Sequence, residues 1–263
     1  MVISWIFCLM VLLFVVHCDS YNPFSPGPQP TTLEPTEHQD ILNVFGLLRP
    51  DSLQGLSLSY VHLELSYPPS DSPDSTIVPD AKVQIKNFDG KTTIDSSVFI
   101  YSDFGVFPTR EYRNLSFFPK IGTYQLICKK QGFPTLMGET TLPDVPDIKE
   151  GSLKQQNNRL TFHIIRDNNV GLYEVVLEGQ EWLIRDRFLR PEAGNVLISL
   201  EIHGGCKGPC LLSIYAFDLN LSTYLSTNLS IKPNIYQADF STVINGYGCF
   251  GSLNILKQTI ELM

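Results

Sequence analysis

Positive charge is scarce in this chain: 19 Lys and Arg stand against 27 Asp and Glu, a formal net charge of -8, and the cations are scattered along the sequence. Nucleic acids and anionic lipid surfaces are bound through clustered Lys and Arg, so neither is expected as the main partner. The motifs of common catalytic machinery are missing too. There is no Gly-x-Ser-x-Gly elbow, no His-Glu-x-x-His helix and no Gly-x-x-x-x-Gly-Lys-[Ser/Thr] phosphate loop. Carboxylates such as Glu174, Glu178 and Glu181 have nothing beside them in sequence to orient an acid and a base, and a surface with 27 acidic residues needs no catalytic explanation. His38, His62 and His163 are isolated, the last two within alternating runs. The expectation is a protein that is not an enzyme and carries no cofactor.

Long apolar runs are also lacking, except at the start. Met1 to Val16 is apolar apart from Ser4, shorter than the roughly 20 residues that span a bilayer but right for the core of a secretion signal. Residues 1–18 therefore read as a signal peptide and the chain as exported. The run closes on Val15-Val16-His17-Cys18, which resembles a bacterial lipobox, where the cysteine is acylated and becomes the mature N-terminus. His17 stands where a small residue is usual, and Met1 to Phe7 lacks the usual basic residues. Two readings stand: a lipidated Cys18, or an ordinary cleaved signal with Cys18 discarded or left as a spare thiol.

Residues 19–37 carry Pro23, Pro26, Pro28, Pro30 and Pro35 among Ser, Thr and Gly, a composition that buries no apolar surface and stays extended. About 19 residues at about 3.1 Å each reach roughly 60 Å, the span of a tether. A tether suits an anchored protein, and two or more acyl chains, at about 0.8 kcal/mol per buried methylene, hold one essentially permanently.

The remainder alternates at period two. Val61, Leu63, Leu65 and Tyr67 point one way and His62, Glu64 and Ser66 the other; Ala81, Val83 and Ile85 alternate with Lys82, Gln84 and Lys86 up to Asp89-Gly90, a hairpin dipeptide, and Thr92 to Tyr101 is the return strand. Gly122 to Cys128 and Leu136 to Leu142 follow, then Pro143 and Pro146 break the pattern. Six or seven short strands over residues 38–147 imply a β-sandwich with one core. The polar stretch Asp147 to Asn158 is the expected boundary. Strands resume at Leu160 to Arg166, Leu172 to Glu178, Glu181 to Phe188 and Asn195 to Ile202, giving a second antiparallel β unit over residues 155–263. Leu211 to Leu225 reads either as strand alone or as strand followed by a short helix. The fold class expected is all-β with at most one short helix.

Gly246-Tyr247-Gly248-Cys249-Phe250-Gly251 fits the dinucleotide pattern Gly-x-Gly-x-x-Gly, but that fingerprint needs a helix and an acid about 20 residues on. Only Ser252 to Met263 follow, and they read as a closing strand, so the glycines are expected to supply positive φ or a bulge before it. Cys206-Lys207-Gly208-Pro209-Cys210, with His203 upstream, suggests a disulfide between Cys206 and Cys210 across a turn. The alternative is a metal site on His203, Cys206 and Cys210, although structural zinc usually takes two tight pairs and there is one. Cys128 and Cys249 either pair with each other or, for Cys128, fill an apolar core position. Asn114-Leu115-Ser116, Asn220-Leu221-Ser222 and Asn228-Leu229-Ser230 are glycosylation acceptors if the source is a eukaryote.

With those residues in place, the chain resembles a family of Bacteroidota exported lipoproteins, the domain of unknown function 4249. The likeness covers most of the mature chain: Leu42 to Leu48, Val78-Pro79-Asp80-Ala81-Lys82-Val83-Gln84-Ile85, Gly122-Thr123-Tyr124-Gln125-Leu126 with Leu142-Pro143, and the closing Asn245 to Gly251. The first half also resembles the transthyretin or carboxypeptidase-regulatory sandwich, framed by an Ala-x-Val-x-Ile strand and a Gly-x-Tyr-x-Leu strand. The resemblance implies a non-enzymatic protein, lipid-anchored through Cys18 at the outer membrane, that presents a binding surface to a TonB-dependent receptor or a captured solute. The competing expectations are a secreted eukaryotic glycoprotein or adhesin and, third, a metal-binding or redox protein.

Overall fold

Alternating apolar residues with β-branched neighbours make most of the chain strand. The computed structural model describes residues 41–66, 76–89, 92–102, 110–202, 207–227 and 241–262. In chain order the strands are β1 (Leu42–Leu48), β2 (Ser52–Leu53), β3 (Leu56–Ser57), β4 (Tyr60–Leu65), β5 (Lys82–Asp89), β6 (Thr92–Ser102), β7 (Glu111–Arg113), β8 (Gly122–Lys129) and β9 (Leu136–Leu142). Then come β10 (Lys154–Gln156), β11 (Arg159–Ile164), β12 (Val170–Glu178), β13 (Leu183–Leu189), β14 (Val196–Glu201), β15 (Gly208–Asp218), helix α1 (Leu219–Thr227), β16 (Val243–Ile244) and β17 (Tyr247–Leu262). The fold is all-β, and α1 is the single α-helix among the described residues.

Twelve strands form one curled sheet in the order β13-β12-β15-β17-β1-β4-β7-β6-β5-β8-β9-β16, and β10-β11-β14 form a smaller sheet. All pairings are antiparallel except β1 with β17, which run parallel with Phe45 opposite Cys249. The Ala-x-Val-x-Ile and Gly-x-Tyr-x-Leu strands are neighbours: Val83 and Ile85 of β5 and Tyr124 and Leu126 of β8 enter the same core, with Val61, Leu63, Phe99 and Tyr112. Tyr112 is held there by its hydroxyl, which donates to Val78 O at 2.6 Å and accepts from Ala81 N at 2.9 Å. A second core, between β12, β15 and the small sheet, holds Phe162, Ile164, Tyr173, Val175, Leu177, Ile198, Leu212 and Ile214. A third cluster, where the two meet, contains Leu47, Leu172, Phe217, Leu221, Cys249 and Leu253.

Two details differ from the sequence reading, and a third settles an alternative it left open. In the β5–β6 hairpin Asp89 is still a strand residue paired with Thr92, not part of the turn, the register slips between Asn87 and Phe88, and residues 90–91 lie outside the described residues. The glycine-rich run is not a prelude to the closing strand but its first part, since β17 begins at Tyr247. Within Leu211 to Leu225 the strand ends at Asp218, whose Oδ1 accepts a hydrogen bond from Leu221 N at 2.8 Å. That is an N-cap, and it turns the chain into α1.

The last strand joins the two halves. Phe250, with Val243 of β16, completes the first core, while Leu262 ends in the second. From Asn43 to Leu48, β1 runs beside Tyr247 to Ser252, and β15 takes over from Leu253. Such close passage needs glycine. At Gly248, φ is +113° and a Cβ would lie 1.9 Å from Val44 O; at Gly246 it would lie 2.4 Å from Leu136 Cδ1 and 2.6 Å from Leu42 O.

Candidate functional site

The cysteines divide by what surrounds them. Cys18, and His203 and Cys206 of the proposed bridge or metal site, lie outside the described residues. Cys210 is buried in the second core. Among the described residues no three His, Cys, Asp or Glu side chains gather as a metal site. Cys128 and Cys249 are separate, buried thiols and do not bridge. Burial pushes the Cys128 thiol up to about 12. Cys249 is also raised to about 12, by burial first and by the neighbouring Asp218 second, against the Thr242 hydroxyl that lowers it. Thiols held that high stay protonated and unreactive near neutral pH.

The carboxylates are structural where they are buried. Glu174 of β12, only 4% exposed, binds Arg185 Nη2 through Oε1 at 2.6 Å and Arg187 Nε through Oε2 at 2.7 Å. Both arginines lie on β13, with Arg187 directly opposite Glu174. Glu178 and Glu181 are exposed, and nothing brings them to Glu174 as an acid/base pair. His62 Nε2 stands 3.5 Å from Glu64 Oε2, and the hydrogen bond it donates to that carboxylate raises its pKa over the opposing effect of burial. Beside it, Arg113 sits over the Tyr60 ring at 5.2 Å, and Phe45 packs between Tyr60 and Tyr224.

One of the glycosylation acceptors is occupied by the fold, and a second makes a single bond at the surface. The Asn220 amide donates to Glu139 O at 2.6 Å and to Phe250 O at 2.9 Å, using both Nδ2 hydrogens, and Ser222 is buried. Asn114 Nδ2 donates to Val98 O at 3.1 Å. Asn228 lies outside the described residues.

What the sequence reading missed is an apolar row on the outer face of the first half. Cross-strand pairing aligns Val98 (β6), Gln84 (β5), Ile127 (β8), Met137 (β9) and Ile244 (β16) in one line across five strands. Four strand spacings make this line about 19 Å long. Val98 is 60% and Ile244 64% exposed, and Ile100, two positions along β6, is 72% exposed. Lys82 and Lys129, paired across β5 and β8, flank the row on the side of Ile100, and Lys86 flanks it on the other. At the Ile100 end, Asp80, Lys82, Val98, Ile127 and Lys129 border an open depression of ≈ 830 Å³. A signal for this was present. Val98-Phe99-Ile100-Tyr101 and Leu126-Ile127-Cys128 are unbroken apolar runs, whereas a strand with one wet face alternates.

No family model and no curated protein matches the chain. Among solved structures, the chicken interferon gamma receptor alpha chain aligns with 85% of this chain and 98% of its own length, at 11% identity and a TM-score of 0.25.

Proposed function

We propose that this chain is a non-enzymatic binding protein of the cell envelope, exported, lipid-anchored through Cys18, and docked to an outer-membrane receptor through the outer face of β5, β6, β8, β9 and β16. The observation that carries the reading is the cross-strand line Val98–Gln84–Ile127–Met137–Ile244, apolar but for Gln84, with Val98 and Ile244 exposed at its ends, Ile127 and Met137 half-buried between them, and exposed Ile100 beside it. Contiguous apolar surface on a folded protein marks a place of contact, and lysines at its margin select the partner's charge.

The leader, the proline-rich arm and the resemblance to exported lipoproteins support the anchor. The glycoprotein reading has less in its favour, because a glycan on Asn220 would displace a hydrogen bond inside the fold.

Labelled palmitate fed to the native host should enter the wild-type chain and not Cys18→Ala. Equal absence of label from both removes the anchor. For the docking face, outer-membrane protein from the native host should co-purify with wild type and at least tenfold less with Val98→Thr/Ile100→Thr; undiminished recovery removes that surface.

A further inference from the structure

Strand β13 ends the twelve-strand order, with β12 on one side and, among the described residues, no strand on the other. Natural sheets blunt such edges with short strands, charged side chains, proline, bulges or a covering segment, because free backbone N–H and C=O groups invite another strand, and the charges β13 carries are Arg185, Asp186 and Arg187. β13 has seven residues, no proline and an unbroken register with β12. It is also firmly seated, since Ile184 and Phe188 pack against the second core.

Its other face reads Leu183, Arg185, Arg187, Leu189. The two leucines are 61% and 70% exposed. Between them both guanidiniums are fixed by the buried Glu174, yet the Arg185 and Arg187 side chains remain 56% and 37% exposed. Each guanidinium carries five N–H donors and gives one to Glu174 in these bonds, so each retains donors for a second carboxylate. Glu174, Arg185 and Arg187 leave one positive charge unpaired between them, with Asp186 next in the strand and Glu178 opposite Leu183.

We infer that the free edge of β13 accepts an extended acidic segment of a partner protein as an added strand, with two carboxylates facing Arg185 and Arg187 and apolar residues facing Leu183 and Leu189. In strand addition the main chain supplies affinity and alternate side chains supply specificity. In its two most symmetric registers a second copy of this chain is disfavoured at the edge. Antiparallel self-pairing centred on Asp186 sets Arg185 against Arg187 and Asp186 against Asp186, and in-register parallel pairing also sets like against like, which destabilises a cross-strand pair. The inference rests on the reading of the chain as a binding protein, but it uses a different surface from the β5–β9 face and does not depend on the anchor.

The probe is a capped, fluorescent peptide Ile-Thr-Glu-Thr-Glu-Thr-Val, with Ile-Thr-Lys-Thr-Lys-Thr-Val as its counterpart, titrated into the mature chain. The acidic peptide should bind at least tenfold tighter than the basic one and slow hydrogen exchange of the β13 backbone amides. Arg185→Glu/Arg187→Glu should reverse the preference. Because that variant sets glutamates beside Glu174 and risks misfolding, Glu174→Gln/Arg185→Gln/Arg187→Gln, which leaves no buried charge unpaired, provides a second reading: the preference disappears while exchange elsewhere is unchanged. Equal affinity of wild type and the Gln variant for the acidic peptide, or binding without protection of β13, overturns the inference. Val98→Thr/Ile100→Thr should bind the acidic peptide normally, so failure of the receptor contact and failure of the edge site are told apart.

Discussion

At the residue scale, Asp218 carries the most consequence. It is 3% exposed, its Oδ2 accepts from Thr140 Oγ1, its Oδ1 caps α1, and no Lys or Arg among the described residues pairs with it. Burial raises its pKa to about 6, and the hydrogen bonds from Thr140, Leu221 and Ser252 only partly offset that. A folded-state pKa above the unfolded value near 3.8 means that the fold favours the protonated acid. Its stabilising contribution is complete below about pH 3.8 and lost as pH rises through about 6. The amount lost is on the order of 3 kcal/mol. Asp218→Asn keeps an oxygen for the Leu221 cap and does not ionise. Its stability relative to wild type, from urea melts at several pH values, should climb between pH 4 and 7 and level off above; parallel curves would show that Asp218 does not titrate in the fold. Gly248 makes a sharper case, since positive φ and contact with Val44 O leave no room for a side chain. Gly248→Ala is expected to cost more than about 4 kcal/mol, beyond the usual range of single substitutions. Soluble Gly248→Ala with a melt near that of wild type would refute the close passage of β17 and β1.

At the element scale, β6 and β17 explain what was legible in the sequence and what was not. Strands with one wet face, such as β4 and β5, announce themselves by alternation, and the buried Val61, Leu63, Val83 and Ile85 are the residues that alternation selects. Asp147 to Asn158 reads as a boundary because its composition is polar, and β10 with its turn falls there. The parallel pairing of β1 with β17 leaves no such trace, because partners about 200 residues apart have no local pattern. The glycine run gave half of it: positive φ was legible at Gly248, but not the strand it approaches. The outer row through Val98 and Ile244 went unread for a different reason, since an apolar residue in a strand is taken as core until pairing shows which side it faces. That placement has a stability consequence. Val98→Thr/Ile100→Thr swaps exposed β-branched residues for another good strand former, and it should move the urea midpoint by no more than about 0.5 kcal/mol. A loss of 2 kcal/mol or more (roughly the scale of burying one such side chain) would mean that these residues are buried and the face is not open.

At the scale of the whole molecule, the question is whether the two cores behave as two domains or one. Each has its own apolar cluster, which favours independence. Against this, one strand serves both, and polar bonds cross between them: Thr140 with Asp218 and Ser252, Asn220 with Glu139 O, and Asn254 with Pro143 O at 3.0 Å. Phe250, fully buried, is supplied to the first core by the terminal strand, and its removal is worth about 3–5 kcal/mol. A first half cut at residue 147 would lack Phe250 and Val243 and leave β1 without its parallel partner, so it should not hold its fold. The mature chain should therefore unfold in one calorimetric transition, with equal calorimetric and van't Hoff enthalpies. Phe250→Ala in the first core and Ile214→Ala in the second should each shift that same transition downward. Two resolved transitions, with each variant moving a different one, would show that the shared strand does not couple the halves.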